Sequence, residues 1–501
     1  LSLQPPHKKI NMAIYDIAVI GGGINGAGIA RDAAGRGLRV ALCEQDDLGS
    51  HTSSASSKMI HGGLRYLEYG ALGMVRGALR ERGALLRAAP HIIRPLRLVI
   101  PHGANAARPR WMVRLGLFLY DRLGGGGSLP GSRAVNLHRH PAGAALRAEF
   151  VHGFFYHDCR VQDARLVVLN AVDAAGRGAD IFTRTRCTAA VRGAAEWRLD
   201  LAGRRTITAR CLVNAGGPWV HRVLDGVTPP PPRLNLRLVA GGHIMVNRLA
   251  EHQHAYLLQN DDGRVVFVMP WEERWTLIGT TEKEFHGDPA AVRATDDEVD
   301  YLCAAVNRYF RHAIRPEDVV QRFAGVRPLF DAGRKKENAS AVTREYHLDL
   351  NRDGAPLLSV YGGKLTTYRK LAEDAVNMLC PVFNLASRPW TRGAHLPGGD
   401  LGGDVEWFRR KVAREFSFLP ESVTARWAQT YGSRLYRFAH GVKSAAGLGE
   451  DFGGGLSRRE VDYLRAEEFA VTADDILHRR TALGLGASKA AVDKLQKYLA
   501  H

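Results

Sequence analysis

Short uninterrupted apolar runs alternate with stretches of helical period in the first part of the chain. That alternation predicts an α/β fold whose parallel strands are buried on both faces. Residues 17–20 read as such a strand, the glycine-rich turn that follows opens a helix to about 36, and 38–42 read as a second strand. Residues 70–89 carry Leu and Arg at helical spacing, 97–100 read as a strand, and 163–176 as a further amphipathic helix. After the stiff run of four prolines at 229–232, alternating or β-branched runs at 244–246, 265–269 and 276–278 predict a mainly antiparallel sheet. Residues 357–360 return to a buried strand, followed by a glycine turn and a helix to about Leu379, and the remainder beyond Pro389 is helix-rich.

Gly21-x-Gly23-x-x-Gly26 stands where the first strand meets the first helix. Gly21 allows the tight turn, Gly23 lets backbone approach a pyrophosphate, and Gly26 lets the helix pack closely on the strand. Glu44, at the end of the second strand, suits a ribose hydroxyl and disfavours a 2′-phosphate. The glycine motif leaves NAD and FAD open. The run of small hydroxyl residues from Ser53 to Lys58, with Ser54, Ser57 and Lys58 as candidate contacts, suits the longer FAD. Asn214-Ala215-Gly216-Gly217-Pro218 breaks a strand so that backbone at Gly216 can approach the same cofactor. The expected organisation is a Rossmann-like α/β FAD-binding domain of residues 12–90, 150–228 and 345–386, with an inserted mainly antiparallel β substrate domain of residues 91–149 and 229–344. Residues 387–501 form a helical C-terminal domain, and residues 1–11 read as a disordered extension, with Met12 a candidate natural start.

Composition narrows the partners. With 69 Lys and Arg against 51 Asp and Glu, the chain carries +18, which favours an anionic ligand, nucleic acid or an anionic membrane surface. No basic run interleaved with aromatics supports nucleic acid. The six cysteines are scattered without a Cys-x-x-Cys pair, which argues against a disulfide framework or a zinc site. No apolar run approaches the ~20 residues of a membrane-spanning helix. Residues 111–123, however, place Met112, Val113, Leu115, Leu117, Leu119, Tyr120 and Leu123 on one broad arc, opposite Arg114, Asp121 and Arg122. Two readings stand for this segment: a surface helix packed on the core, or a helix lying in a membrane interface.

Four motifs together resemble the aerobic, FAD-dependent glycerol-3-phosphate dehydrogenases: residues 21–28, 53–68, Gly325-Val326-Arg327-Pro328-Leu329, and Gly362-Gly363-Lys364-Leu365-Thr366-Thr367-Tyr368. Residues 449–453 and 474–481 resemble that family's helical C-terminal domain. The resemblance implies FAD as cofactor and oxidation of sn-glycerol 3-phosphate to dihydroxyacetone phosphate. It further implies electron transfer to ubiquinone or menaquinone at the cytoplasmic face of the inner membrane, peripheral attachment to an anionic surface, no nucleic acid, and room for a homodimer. It assigns Arg65, Tyr66, Arg327, Arg344, Lys364 and Thr366 to the substrate, and Asn25, Gly62, Gly63, Gly363, Leu365 and Thr366 to the cofactor beside the residues named above. Arginine independently suits a phosphomonoester, because its planar fork binds the oxygens in pairs. His243 is the candidate base, its ordinary pKa suiting proton transfer near neutrality, with Lys364 and Arg327 stabilising developing negative charge. Two mild departures touch fine cofactor contacts: Glu282 where Asp is expected, and a Gly where Thr is usual within Asn214-Ala215-Gly216-Gly217-Pro218. Rival readings are an oxidase of the same fold that reduces oxygen, an amine or amino-acid oxidase, and an FAD-containing nucleic-acid-binding protein.

Overall fold

The computed structural model describes residues 14–103, 106, 108–124, 129–331 and 345–500. Two sheets and a helical domain organise them. In the first sheet, strand Tyr15–Ile20 runs parallel to Val40–Cys43 on one side and to Arg205–Asn214 on the other. Arg205–Asn214 is long enough to serve two partners. Its first half pairs antiparallel with Trp197–Leu201, and its second half, at Leu212–Asn214, pairs parallel with Leu357–Tyr361.

Both faces of this sheet are covered, which is why its strands read as continuous apolar runs. Ile17 and Val19 face a core shared with helices Ile24–Gly35, Asp163–Gly176 and Tyr368–Leu379. Ala18 and Leu212 face the opposite side, under Trp197, Leu199 and the rest of a hairpin.

The second sheet is mainly antiparallel, as the alternating runs imply. Its order places Leu236–Asn247, Trp275–Gly279, Val265–Trp271, Ala255–Gln259, Ile93–His102 and His152–Val161 side by side, with Val319–Phe330 on the other flank of Leu236–Asn247. The pairing of Ala255–Gln259 with Ile93–His102 is parallel. Ile244 and Val246 pack on one side under helix Asp296–Asn307, and Met245 packs on the other with helices Leu72–Ala88 and Arg110–Leu123.

One boundary differs from the sequence expectation. Strands Met59–Ile60 and His152–Val161, expected in the cofactor domain, lie in the second sheet, where His152–Val161 pairs with Ile93–His102 over ten residues. Nothing in its apolar pattern distinguishes a strand of one sheet from the other; only the partner does.

The C-terminal domain has its own core around Phe408, Trp427, Tyr431 and Leu464. Buried ion pairs tie it to the cofactor domain: Arg165 to Glu468, and Arg480 to Asp47 at 2.7 Å. None of the six cysteines forms a disulfide. Among the described residues, no helix is long and apolar enough to cross a membrane.

Candidate active site

The carboxyl ends of four parallel strands converge on one cleft of about 560 Å³. Ile20, Cys43, Asn214 and Tyr361 are followed by Gly21, Glu44, Ala215–Gly216 and Gly362–Gly363, all of which line it. Doubly wound sheets bind ligands at such strand ends. Gly21 adopts φ +110°, and a Cβ there would stand 2.5 Å from the Ala215 carbonyl oxygen, so the turn accepts only glycine. The Gly22 amide donates to Glu44 Oε2 at 2.6 Å and the Asp46 amide to Oε1 at 2.9 Å. Burial raises the Glu44 pKa, and these two donors oppose the rise.

Helix Ile24–Gly35 points its amino end at the cleft. Its Ile24 amide is capped from another loop, donating to Ser53 Oγ at 3.0 Å. Asn25 Nδ2 donates to the Gly362 carbonyl at 3.2 Å, while Asn25 Oδ1 is buried with no hydrogen-bond partner among the described residues. A buried acceptor without a donor, a carboxylate lining the wall and a helix amino end are together what a dinucleotide with pyrophosphate and ribose groups satisfies. Gly23, Ser57, Gly62, Gly63, Gly216, Gly363, Leu365 and Thr366 share these walls, as expected.

Three cofactor candidates stand elsewhere. Gly26 lies beneath the turn, where a Cβ would meet the Gly21 carbonyl oxygen at 1.9 Å; it supports the cradle without lining it. Ser54 Oγ donates to the His51 carbonyl. Lys58 Nζ pairs with Asp163 at 2.8 Å and also donates to the Ser54 carbonyl. Ser54 and Lys58 face a second cavity of about 370 Å³ on the reverse of the loop. A loop presents side chains to both of its sides, and composition does not say which.

At the other end of the cleft Tyr66, Arg327, Lys364 and Thr366 come together with His61, Phe267 and Thr280. Arg327, on strand Val319–Phe330, donates to Thr280 Oγ1 at 3.1 Å and stands 3.5 Å from Glu282, so the Glu departure noted in the sequence pairs with an arginine expected at the substrate. Burial draws the Arg327 pKa down, and the nearby Tyr66 works against that. Lys364 Nζ lies 4.4 Å from the centre of the Tyr66 ring. Arg65 is partly buried on the short helix Leu64–Tyr69, off the cleft wall, and makes no ion pair with a described residue. Arg344 falls outside the described residues.

His243 is not where a direct base has to be. It is 1% exposed, stacks on Phe323 at 5.0 Å, and meets the cleft only through Ser57 Oγ, 2.9 Å from its Nε2. Burial first, then the charges of Arg327 and Lys58, draw its pKa down to about 3, so it is neutral at pH 7 and weakly basic.

The sequence reading missed His61, which lines the cleft and whose amide donates to Thr366 Oγ1 at 3.2 Å. The signal was present, since His61 precedes Gly62-Gly63 within the motif at residues 53–68. Tyr120 was also missed as a support. Its hydroxyl accepts from the Gly62 amide at 2.8 Å and donates to buried Asp158, which pairs with Arg82 at 2.7 Å. Tyr120 belongs to helix Arg110–Leu123, whose apolar arc divides. Val113, Leu117 and Tyr120 are buried, whereas Met112, Leu115, Phe118, Leu119 and Trp111, the last 66% exposed, face out.

Comparison with known proteins agrees with this geometry. Residues 16–369 match the model of the FAD dependent oxidoreductase family, and residues 390–500 match the C-terminal domain of alpha-glycerophosphate oxidase. The chain is 50% identical over 492 residues to a glycerol-3-phosphate dehydrogenase of Pseudomonas aeruginosa, covering 97% of this chain and 95% of that one. It is also 50% identical over 473 residues to a D-erythritol 1-phosphate dehydrogenase of Brucella abortus, covering 93% and 94%. The solved structure of the Bacillus halodurans glycerol-3-phosphate dehydrogenase complexed with FAD superposes with a TM-score of 0.75 at 26% identity, over 97% of this chain and 94% of that one. The family resemblance carried by the four motifs is borne out, and FAD is the cofactor. This chain belongs to the FAD dependent oxidoreductase family, with the C-terminal domain of alpha-glycerophosphate oxidase appended.

Proposed function

We propose that the protein oxidises the secondary alcohol of sn-glycerol 3-phosphate to dihydroxyacetone phosphate and passes the electrons on to a membrane quinone. The observation that carries this reading is the pair of cations, Arg327 and Lys364, grouped with Tyr66 at one end of a cleft whose other end fits FAD. Two fixed cations suit a phosphomonoester dianion, and Arg327 is held in place by Thr280 and Glu282. When bound, the flavin supplies the two-electron acceptor for the C2 hydride at N5. The proton of the substrate hydroxyl goes to an imidazole that reaches the cleft, and His61 fills that role better than His243. His243 instead orients the Ser57 hydroxyl from behind.

The quinone reading rests on the outer face of helix Arg110–Leu123. Trp111, Met112, Leu115, Phe118 and Leu119 are exposed there, with Tyr69 and Leu72 also exposed on elements packed against that helix. A contiguous apolar face of this kind, edged by arginines in a chain of +18, suits a membrane interface.

A second substrate reading comes from the equal identity to the D-erythritol 1-phosphate dehydrogenase. The same cations would hold that phosphate. Anaerobic mixing of the flavin-loaded protein with each polyol phosphate decides between them. Rapid bleaching by glycerol 3-phosphate, and neither by glycerol nor by erythritol phosphate at equal concentration, is the expected result. Faster bleaching by erythritol phosphate would reverse the order, and no bleaching by either would sink both. Oxygen uptake measured with and without added quinone separates dehydrogenase from oxidase.

A further inference from the structure

Away from the cleft, the second sheet gathers basic side chains around one ring. Phe155 is fully buried, paired across the strands with Val99 and Arg133. The guanidinium carbons of Arg97 and Arg133 each lie 5.4 Å from its ring centre. The rings of His140 and His254 lie 4.9 and 5.6 Å from it. His254 is in turn 5.7 Å from His140 and 4.8 Å from His252.

Hydrogen bonds show which of these groups are still available. Tyr256 OH donates to the Ala142 carbonyl at 2.6 Å, so it accepts from His252 Nε2, while His252 Nδ1 accepts from the His254 amide. His252 is therefore a neutral, fully used ring. His140 Nδ1 accepts from the Ala142 amide, which leaves its Nε2. Arg97 spends only its Nε, on His157 Nε2 at 3.3 Å. Arg133 and the His254 ring have no hydrogen-bond or ion-pair partner among the described residues.

Arg97 is half-buried and Arg133 exposed, and no described carboxylate pairs with either of them, with His140 or with His254. The cost is visible in the imidazoles. Burial, then His252, Arg97, His140 and His157, draw the His254 pKa down to about 4, and His140 is lowered by burial and by Arg133 and Arg97. Like charges gathered without a counterion are relieved by an anion.

We infer that Arg97, Arg133, His140 and His254 form a binding site for a phosphate group, separate from the catalytic cleft. Two guanidinium forks and two imidazole edges grouped over one ring match the several oxygens of a phosphate better than a single carboxylate. The site adjoins the exposed apolar helix. Ser132, the residue before strand Arg133–Asn136, is held through its amide and hydroxyl by Asp121 at 2.8 and 2.6 Å, in the last turn of Arg110–Leu123. A phospholipid headgroup and a soluble phosphate compound present the same chemistry there. The assignment does not depend on the identity of the oxidised substrate.

The test uses the flavin-loaded full chain and equilibrium dialysis against radiolabelled inorganic phosphate, beside flotation with phosphatidylglycerol or phosphatidylcholine vesicles. In the Arg97→Gln/Arg133→Gln variant, phosphate binding outside the cleft should weaken roughly tenfold or more, while flavin content and turnover with glycerol 3-phosphate stay as in the wild type. If phosphatidylglycerol flotation falls as well and inorganic phosphate competes with it, the source is a lipid headgroup; if flotation is unchanged, it is a soluble phosphate. Phosphate binding and flotation both equal to the wild type overturn the site. Should the double variant fail to fold, His254→Gln removes one donor from a partly exposed position, and about threefold weaker phosphate binding is then expected. Binding by that variant equal to the wild type overturns the site in the same way.

Discussion

The two ends of the cleft are made of different materials. At the cofactor end the groups are backbone amides, a carboxylate and an asparagine, each in a turn that follows a parallel strand or opens a helix. At the substrate end they are long cationic and imidazole side chains, Arg327 on the second sheet, Lys364 after the first, His61 on a connecting loop. A backbone site demands only glycine where space is short and tolerates change elsewhere. A side-chain site depends on reach and charge, and both are set by what lies behind each residue. The contrast between His61 and His243 is the clearest case, since the two imidazoles sit on opposite sides of the Ser57 wall.

His61→Ala tests that contrast with the largest effect: kcat should fall about 10²–10⁴-fold with FAD content unchanged, because a positioned base is removed. His243→Ala should cost much less in kcat; the reverse order in stopped-flow flavin reduction would restore His243 as the base. Next, Arg327→Ala should raise KM for the phosphate substrate and lower kcat/KM by about 1.5–3 kcal/mol equivalent, since a part-buried charged contact is lost and Glu282 is left without it. Unchanged KM would remove Arg327 from phosphate binding. At the cofactor end, Glu44→Gln should weaken FAD affinity roughly tenfold by flavin fluorescence, while the kcat of loaded enzyme holds. A fall in kcat at full occupancy would mean that the two ends are coupled.

The smallest effect concerns pH. His243 folds with a pKa of about 3, below the value near 6.5 of an unfolded histidine, so the unfolded chain takes up the proton first. Its contribution to stability is whole above about pH 6.5 and is lost as pH falls toward 3, at up to about 1.4 kcal/mol per pH unit. His243→Asn should flatten that part of a denaturation-against-pH curve, and an unaltered slope would place the histidine in a more solvated site.

Much of the cofactor end was legible because its determinants are contiguous. The turn at Gly21, the helix from Ile24 and the carboxylate at Glu44 follow one another within thirty residues, and helix Asp163–Gly176 has the ends its period implies. Ser54 and Lys58 were misread for the opposite reason: composition marks a loop as hydroxyl-rich and basic without saying which of its sides faces a ligand. Residues 152–161, placed within the cofactor-domain range, instead form a strand of the second sheet, because its ten-residue partner lies about sixty residues away. The apolar arc of helix Arg110–Leu123 was visible, but its division into a buried stripe holding Gly62 and an exposed face was not.

The sequence by itself determined the fold class and the glycine cradle, which follow from local spacing that chain connectivity preserves, and its motifs carried the resemblance that implied the cofactor and the family. Only the tertiary structure decided that His243 lies behind Ser57, that Arg327 is paired with Glu282, and that Arg97, Arg133, His140 and His254 gather at Phe155 with no described carboxylate paired to them. Burial, charge balance and reach depend on which strands meet across a sheet, and pairing between distant segments leaves little mark on either segment alone.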